Sequence, residues 1–376
     1  MRCATLRTNL FFVVVSMSAA TNLGAQQREG SRCPLLPVPH AEKFGYIDGS
    51  GKLLISARFD FAECFHEGLA LVQLGSKYGF IDKAGNLAIP ASFDQASSFS
   101  EGLAAVSVGT KWGFIDSSGR MVIPLRFDDL GFPPGAKPFS EGLAAVTIDG
   151  TTGYIDKTGK VMITPQFDLF TEFSEGLAAV RSRGVNTHEY VARTGTIASH
   201  DFGYINRTGV VTIPFQFHNA HAFHEGLAVV IVRGSGDKHF DNFGFLDRTG
   251  KLVIVPKFQW AEDFSEGLAA VKVDKKFGYI DHLGAFVIAP QFAQAGPFSE
   301  GLAPVLPHQD SRVGFVDKTG KMMIPPQFTE ACPFINGLSL VQMATKIGVI
   351  DKHGKFVWGP MEEQNTWGEG GPPCPH

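Results

Sequence analysis

The sequence predicts an all-β fold: a tandem array of about nine three-stranded β units, stacked as an open, twisted, solenoid-like array. Three observations predict it. One motif recurs nine times, opening on Gly45, Gly79, Gly113, Gly153, Gly203, Gly244, Gly278, Gly314 and Gly348. Its internal spacing hardly varies, and turn-forming residues interrupt it too often for an intervening helix. A fixed period of this kind marks a repeat array in which each unit buries its apolar face on its neighbours.

Each element follows from local chemistry. In the third unit Lys111-Trp112-Gly113-Phe114-Ile115-Asp116 is aromatic and β-branched with alternating sides, which predicts a strand. Ser117-Ser118-Gly119 then predicts a type I turn with a glycine bulge, opened by Asp116 and closed by a residue that accepts positive φ freely. A second strand follows at Arg120-Met121-Val122-Ile123, and Pro124, with no N–H to donate, ends the ladder or marks an edge. After Phe127-Asp128 the chain loops to Phe139-Ser140-Glu141-Gly142, and Leu143-Ala144-Ala145-Val146 reads as a third strand. From the opening Gly to the recurring Ile is ten residues in every unit but the last, where Trp358 takes the Ile place. Such rigidity is expected where one added residue would turn every side chain to the wrong face.

Nine hairpins against eight third strands leave a surplus hairpin, which caps an open stack naturally; the alternative is a closed, propeller-like ring. The chain divides into a signal peptide (1–25), an N-terminal linker (26–42), the repeat array (43–360) and a disordered Gly/Pro-rich tail (361–376). Arg2 and Arg7 before the short apolar run Leu10 to Ala20 have the shape of a cleaved leader and not of a membrane span, so a periplasmic or secreted location is expected. Cys33, Cys64, Cys332 and Cys374 remain after cleavage, and an oxidising compartment permits disulfides among them. Cys33 and Cys64 flank the first hairpin and are the favoured pair; Cys64 and Cys332 can meet only in a closed ring.

The formal net charge of −4 and the lack of a basic cluster with interleaved aromatics argue against nucleic acid as a partner. The repeated acids, Asp48 to Asp351 after the first strand and Glu67 to Glu300 before glycine, are expected to cap turns, because catalysis needs a distinctive pair in contrasting environments. The repeated aromatics are expected to form core, while Trp260 and Trp367 lie off the period and suit a surface contact. No nucleophile elbow, nucleotide fingerprint or phosphate-cradling loop is present, so neither an enzyme nor a cofactor is expected.

Length changes concentrate in one loop. From the Glu-Gly glycine to the next opening glycine is eleven residues in short units, 27 from Gly176 to Gly203, 18 from Gly226 to Gly244 and 13 from Gly301 to Gly314. Loops inserted on a rigid scaffold are where binding sites are built. The expected function is therefore an exported scaffold that binds a protein or cell-envelope glycan, with Arg183, His188, Tyr190, His200, Lys238 and Trp260 as candidate contacts. A second reading is metal binding, or metal-assisted hydrolysis, in the His-rich segment 188–241. It rests on His218, His221 and His224 at intervals of three, with imidazole a common transition-metal ligand. Against it, His218 stands at the usual Asp position and His224 at the usual Ser position.

From Lys111-Trp112-Gly113-Phe114-Ile115-Asp116 through Gly119, Ile123-Pro124, Phe127-Asp128 and Phe139-Ser140-Glu141-Gly142-Leu143, the chain resembles the bacterial WG-repeat family, also called KWG repeats. The resemblance covers roughly Phe44 to Trp358. Within the repeats the Trp survives only at Trp112, which marks that position as apolar packing. The resemblance implies a β-rich scaffold, often envelope-associated or secreted, and brings no shared catalytic residues.

Overall fold

The computed structural model describes residues 33–40, 42–129, 135–182, 201–233, 241–309 and 311–362. Every regular element among them is a β-strand or bridge. The expected leader (1–25) lies outside the described residues, as does the tail from 363 on. The two residues before it, Met361 and Glu362, end the last strand, Phe356–Glu362.

The strands form eight antiparallel sheets: one of three strands, six of four and one of six. The six-stranded sheet carries two repeats, because the long strand Val161–Phe170 pairs on one side with Thr151–Asp156 and on the other with Leu177–Ser182. The hairpins form as their chemistry predicts. In the third repeat Lys111–Asp116 pairs with Met121–Asp128, and Gly119 closes the turn at φ 81°.

The third strand, however, belongs to the next sheet. Leu143–Ile148 pairs with Thr151–Asp156 of the following hairpin, in register Leu143↔Asp156, and not with the hairpin before it. Each sheet therefore takes one strand from the repeat before it, and successive sheets are tied together by the chain.

The array closes on itself, so the open stack is incorrect and the propeller-like ring holds. The count of nine hairpins and eight third strands omitted Leu36–His40, inside the stretch expected as linker. That segment pairs with Lys43–Ile47 in register Leu36↔Ile47, as Leu69–Leu74 does with Lys77–Ile81 at Ala70↔Ile81. Pro37 and Pro39 disguise it, and an edge strand is where prolines are tolerated. Closure is visible in the turn glycines. A Cβ on Gly85 would stand 2.9 Å from Ile55, one on Gly119 3.3 Å from Ile89, and one on Gly354 3.0 Å from Ile324. Gly51 makes the equivalent contact with the final strand, 1.8 Å from the carbonyl oxygen of Val357. The first repeat thus stacks on the last as every other repeat stacks on its predecessor. The seam core joins Leu36, Val38 and Ile47 to Leu338, Leu340, Val349 and Trp358.

Packing lies between sheets. In one layer Phe245, Ile254, Phe258 and Phe264 meet Ala269, Val271 and Ile280 of the next sheet. The aromatic pairs repeat with the period: Phe80–Phe99 at 4.8 Å, Phe114–Phe139 at 5.0 Å, Tyr279–Phe298 at 4.8 Å and Phe315–Phe334 at 4.9 Å between ring centroids. The aromatics are core, as expected. Trp112 is 3% exposed, which fits an apolar packing position.

Candidate functional site

The two faces of the ring differ in kind, and strand register separates them. Leu103 pairs with Asp116, which places the Glu101-Gly102 turn beside the Asp116 hairpin turn. Lys111 pairs with Val108 and with Asp128, which places the Gly109-Thr110 turn and the Phe-Asp dipeptide at the opposite end.

The first face is closed by repeated hydrogen bonds. Each turn aspartate accepts from two backbone N–H groups, as Asp156 Oδ1 does from Thr158 at 2.9 Å and Lys160 at 3.0 Å. Each glutamate, at positive φ, reaches across to the glycine N–H of the next repeat. Glu67 accepts from Gly102 at 2.9 Å, Glu141 from Gly176 at 3.0 Å, Glu225 from Gly267 at 2.9 Å and Glu300 from Gly337 at 2.8 Å. These acids were expected to cap turns. The aspartates do, while the glutamates bond one repeat to the next. Cations secure them further, with Lys157, Lys318 and Lys352 within 3.0–3.2 Å of Glu101, Glu266 and Glu300.

The second face carries the length changes. The long connections join Leu177–Ser182 to Phe202–Asn206, Leu227–Arg233 to Asp241–Asp247, and Leu302–Leu306 to Val313–Asp317. Between Phe127 and Gly142 the third repeat carries six residues more than the others, in a different interval of the sequence, and they follow Asp128 at this end of its strand. Sequence spacing had set them apart from the others. Partly exposed Lys–Asp pairs decorate this face: Lys43 with Asp60, Lys77 with Asp94 at 2.6 Å and Lys111 with Asp128 at 2.5 Å.

In the four-stranded sheets one edge is the segment between the two phenylalanines of a repeat, and along this segment the repeats diverge chemically. The other edge is the Ile-Pro strand, which alternates buried and exposed side chains. Along the segment between the phenylalanines side chains of successive repeats meet: Ser98 donates to Glu63 Oε2 at 2.5 Å, and His221 Nδ1 lies 3.0 Å from Asp263 Oδ1. Burial raises the Glu172 carboxyl above the usual range, partly offset by the charge of Lys137. Burial likewise raises Glu262, against the hydrogen bond it accepts from Trp260. For Asp263 burial acts upward, but the charge of His221 and its hydrogen bond prevail and hold the carboxyl low. The His221 imidazole answers in kind: burial alone would lower it, and Asp263 raises it. Such coupling of desolvation and ion pairing is found both at sites and in structural networks.

The histidines expected to share a metal do not converge. His218 accepts from Arg233 Nε at 3.2 Å, whereas His221 and His224 both face Asp263, His224 Nε2 at 3.6 Å from its Oδ2. Among the described residues no group of three or more His, Cys, Asp or Glu is arranged to hold a metal ion. His224 fills a serine position. At Ser174 the hydroxyl donates to the carbonyl of Phe223 in the next repeat, a bond repeated from Ser100 to Phe139 and Ser265 to Phe298. A histidine there turns instead to Asp263. Lys137, Glu172, Glu262 and Asp263 escaped the sequence reading because they follow no period. Departure from the period was the available signal.

Of the candidate contact residues, Trp260 is described and stands on the insertion face. Arg183, His188, Tyr190, His200 and Lys238 lie outside the described residues, as does Trp367. Cys33 and Cys64 form the favoured disulfide, and Cys332, disulfide-bonded too, shares their seam core. Beside them a cleft of about 590 Å³ is lined by Pro34, Asp48, Glu300, Asn336 and Lys352. It lies where other repeats place a Ser-Glu-Gly turn.

A closed ring of repeated antiparallel sheets, with variable loops on one face, defines a propeller-type repeat scaffold. More particularly, the chain belongs to the WG-repeat family: the WG containing repeat matches residues 44–78, 78–112, 112–151, 153–185, 202–234, 243–277, 277–306 and 314–344. No curated protein matches the sequence. Among solved structures the fold is similar to a eukaryotic initiation factor, at 11% identity and a TM-score of 0.61, covering 87% of this chain and 96% of that one. It also matches the dihydro-heme d1 dehydrogenase NirN (11% identity, TM-score 0.45, 80% and 75% covered). Hsv2 of Kluyvelomyces marxianus matches at 12% identity and a TM-score of 0.37, with 69% and 93% covered. At these identities the first match bears on the fold alone, and the other two carry no weight. No helix among the described residues is long and apolar enough to cross a membrane.

Proposed function

We propose that the protein is an exported, non-enzymatic scaffold that holds a protein or cell-envelope glycan on the insertion-bearing face of its ring. The observation that supports this most is the segregation of the two faces. On the Glu-ladder face the polar groups are spent on each other, repeat after repeat, and the loop lengths are fixed. On the opposite face the loops vary in length while the sheets beneath them stay in register, the usual division between a rigid frame and a binding surface. Export is supported by the leader-like first residues and by the Cys33–Cys64 disulfide, a bond that persists in oxidising compartments. Metal binding has less support, since His218 is engaged with Arg233 and apart from His221 and His224.

The test is a shortened protein in which 183–200 is replaced by the two-residue Gly-Thr turn found at Gly109-Thr110. Affinity capture from an envelope extract should yield a partner with the wild type and lose it with the shortened form, while the melting temperature of the two agrees within a few degrees. Unchanged capture, or a shortened protein that does not fold, would remove the basis for the proposal.

A further inference from the structure

Trp260 differs from the other described tryptophans. Trp112 and Trp358 are 3% and 8% exposed, whereas Trp260 is 39% exposed. Its ring is nonetheless held in place. It lies against Phe243 of the preceding sheet, with centroids 5.2 Å apart and planes at 37°, and its Nε1 donates to Glu262 Oε1 at 2.7 Å. An indole supported on one side, with its N–H already satisfied, presents a flat apolar surface in a fixed orientation.

Its position is equally defined. The strand Trp260–Ala261 pairs with Val271 and Lys272, next to the Asp274-Lys275 turn on the insertion face. Phe243, its support, belongs to the strand Asp241–Asp247, which leaves the long connection after Arg233. The same place in the repeats on either side is taken by Asn219 and Gln294, each on its own two-residue strand. Side chains at this place reach from one repeat to the next, as Gln95 Nε2 does to Asp129 Oδ2 at 3.3 Å. By repeat position an amide side chain thus stands in the neighbouring repeat on either side of the ring, Asn219 Oδ1 accepting from the Ala220 N–H at 2.8 Å, and the Glu262 carboxylate lies at the ring's edge.

We propose that this rim is a pyranose-binding platform, and that the ligand is an internal unit of a β-1,4-linked oligosaccharide. The inference rests on the scaffold reading above and names its ligand class. A pyranose has a face of C–H groups, which packs on an indole, and a periphery of hydroxyls that both donate and accept, which amides and a carboxylate can satisfy. Trp260 and Gln294 are exposed and Asn219 half-buried, so among the described residues the rim is not a closed pocket. It therefore receives the middle of a chain, and the extended β-1,4 ribbon presents its sugar faces flat. A protein hot spot is favoured by the opposite arrangement, an anchor enclosed in a fully desolvated pocket.

The experiment titrates the full-length protein with chitohexaose and with cellohexaose, followed by calorimetry and tryptophan fluorescence. At least one should bind, Trp260→Ala should weaken it about tenfold or more, and Trp260→Phe should stay within about threefold of the wild type. Asn219→Ala with Gln294→Ala should weaken it several-fold, and all variants should keep the wild-type melting temperature. Absence of binding to both sugars, or wild-type affinity in Trp260→Ala, overturns the platform. So does an equal loss in Trp260→Ala and Trp260→Phe. If the 183–200 replacement still abolishes capture of a protein partner in that event, the scaffold reading stands without the glycan.

Discussion

At the seam two exceptional residues answer one another. By register Pro34 occupies the place of Gly68 in the Glu-Gly turn, and proline has no N–H to give. A glutamate reaching across to it would find no donor. The residue that would reach across is Asn336, the single non-glutamate of that series, and its amide donates to the carbonyl of Cys33 at 2.7 Å. Sequence inspection saw Asn336 as a lone exception; its meaning needs the ring, because Pro34 is some three hundred residues away. His221 and Asp263 form a second pair that spacing does not reveal, at 3.0 Å across two repeats. The His221 pKa is raised, so its contribution is complete below the unfolded value of about 6.5 and is lost as pH rises through the folded value. The Asp263 pKa is lowered, so its contribution is complete above about 3.9 and is lost as pH falls through the folded value. The pair should therefore stabilise most between about pH 4 and 6.5. Urea unfolding of wild type, His221→Ala, Asp263→Asn and the double variant should give a coupling energy greatest in that window and shrinking by pH 9. A coupling independent of pH would mean that the contact is not ionic.

The individual element was the most legible scale. Alternation, turn chemistry and constant spacing agree on every hairpin, and the structure reproduces them down to the glycine at positive φ. What the element did not disclose was its sheet, since a strand's period says which side is buried and not which neighbour it pairs with. That is why the third strand was assigned one repeat too early. The repeat also ranks its own residues by burial. Ile254 is 3% exposed and lies under the turn of the next hairpin, where a Cβ on Gly284 would be 3.2 Å from its side chain. Ile254→Ala should lower unfolding free energy by about 2 to 5 kcal/mol through lost burial and a residual cavity. Asp156→Ala, at an exposed turn whose backbone donors can turn to water, should lower it by nearer to about 1 kcal/mol. Chemical denaturation at neutral pH measures both. Equal losses would show that the turns, and not the layers between sheets, hold the repeat.

For the whole molecule the decisive element is the short strand Leu36–His40. A stack of repeats has two unsatisfied ends, and each exposes the apolar side that every internal repeat buries on its neighbour. Closing the ring removes both ends, and Leu36–His40 completes the first sheet against which the last repeat packs. Val38 is fully buried there, in the seam core with Leu340, Val349 and Trp358. A carboxylate at that point would be enclosed by apolar side chains, and burying an unpaired charge is costly enough that the seam should open first. Val38→Asp is thus expected to part the first repeat from the last while the layers far from the seam remain packed. Small-angle scattering should report a compact disc for the wild type and a larger radius of gyration for the variant. Circular dichroism should show most of the β structure retained, and Val38→Ala should keep the disc. A compact Val38→Asp protein with the wild-type melting temperature would mean that the ring is held shut elsewhere, by the Asn336 bridge or the disulfides clustered beside it.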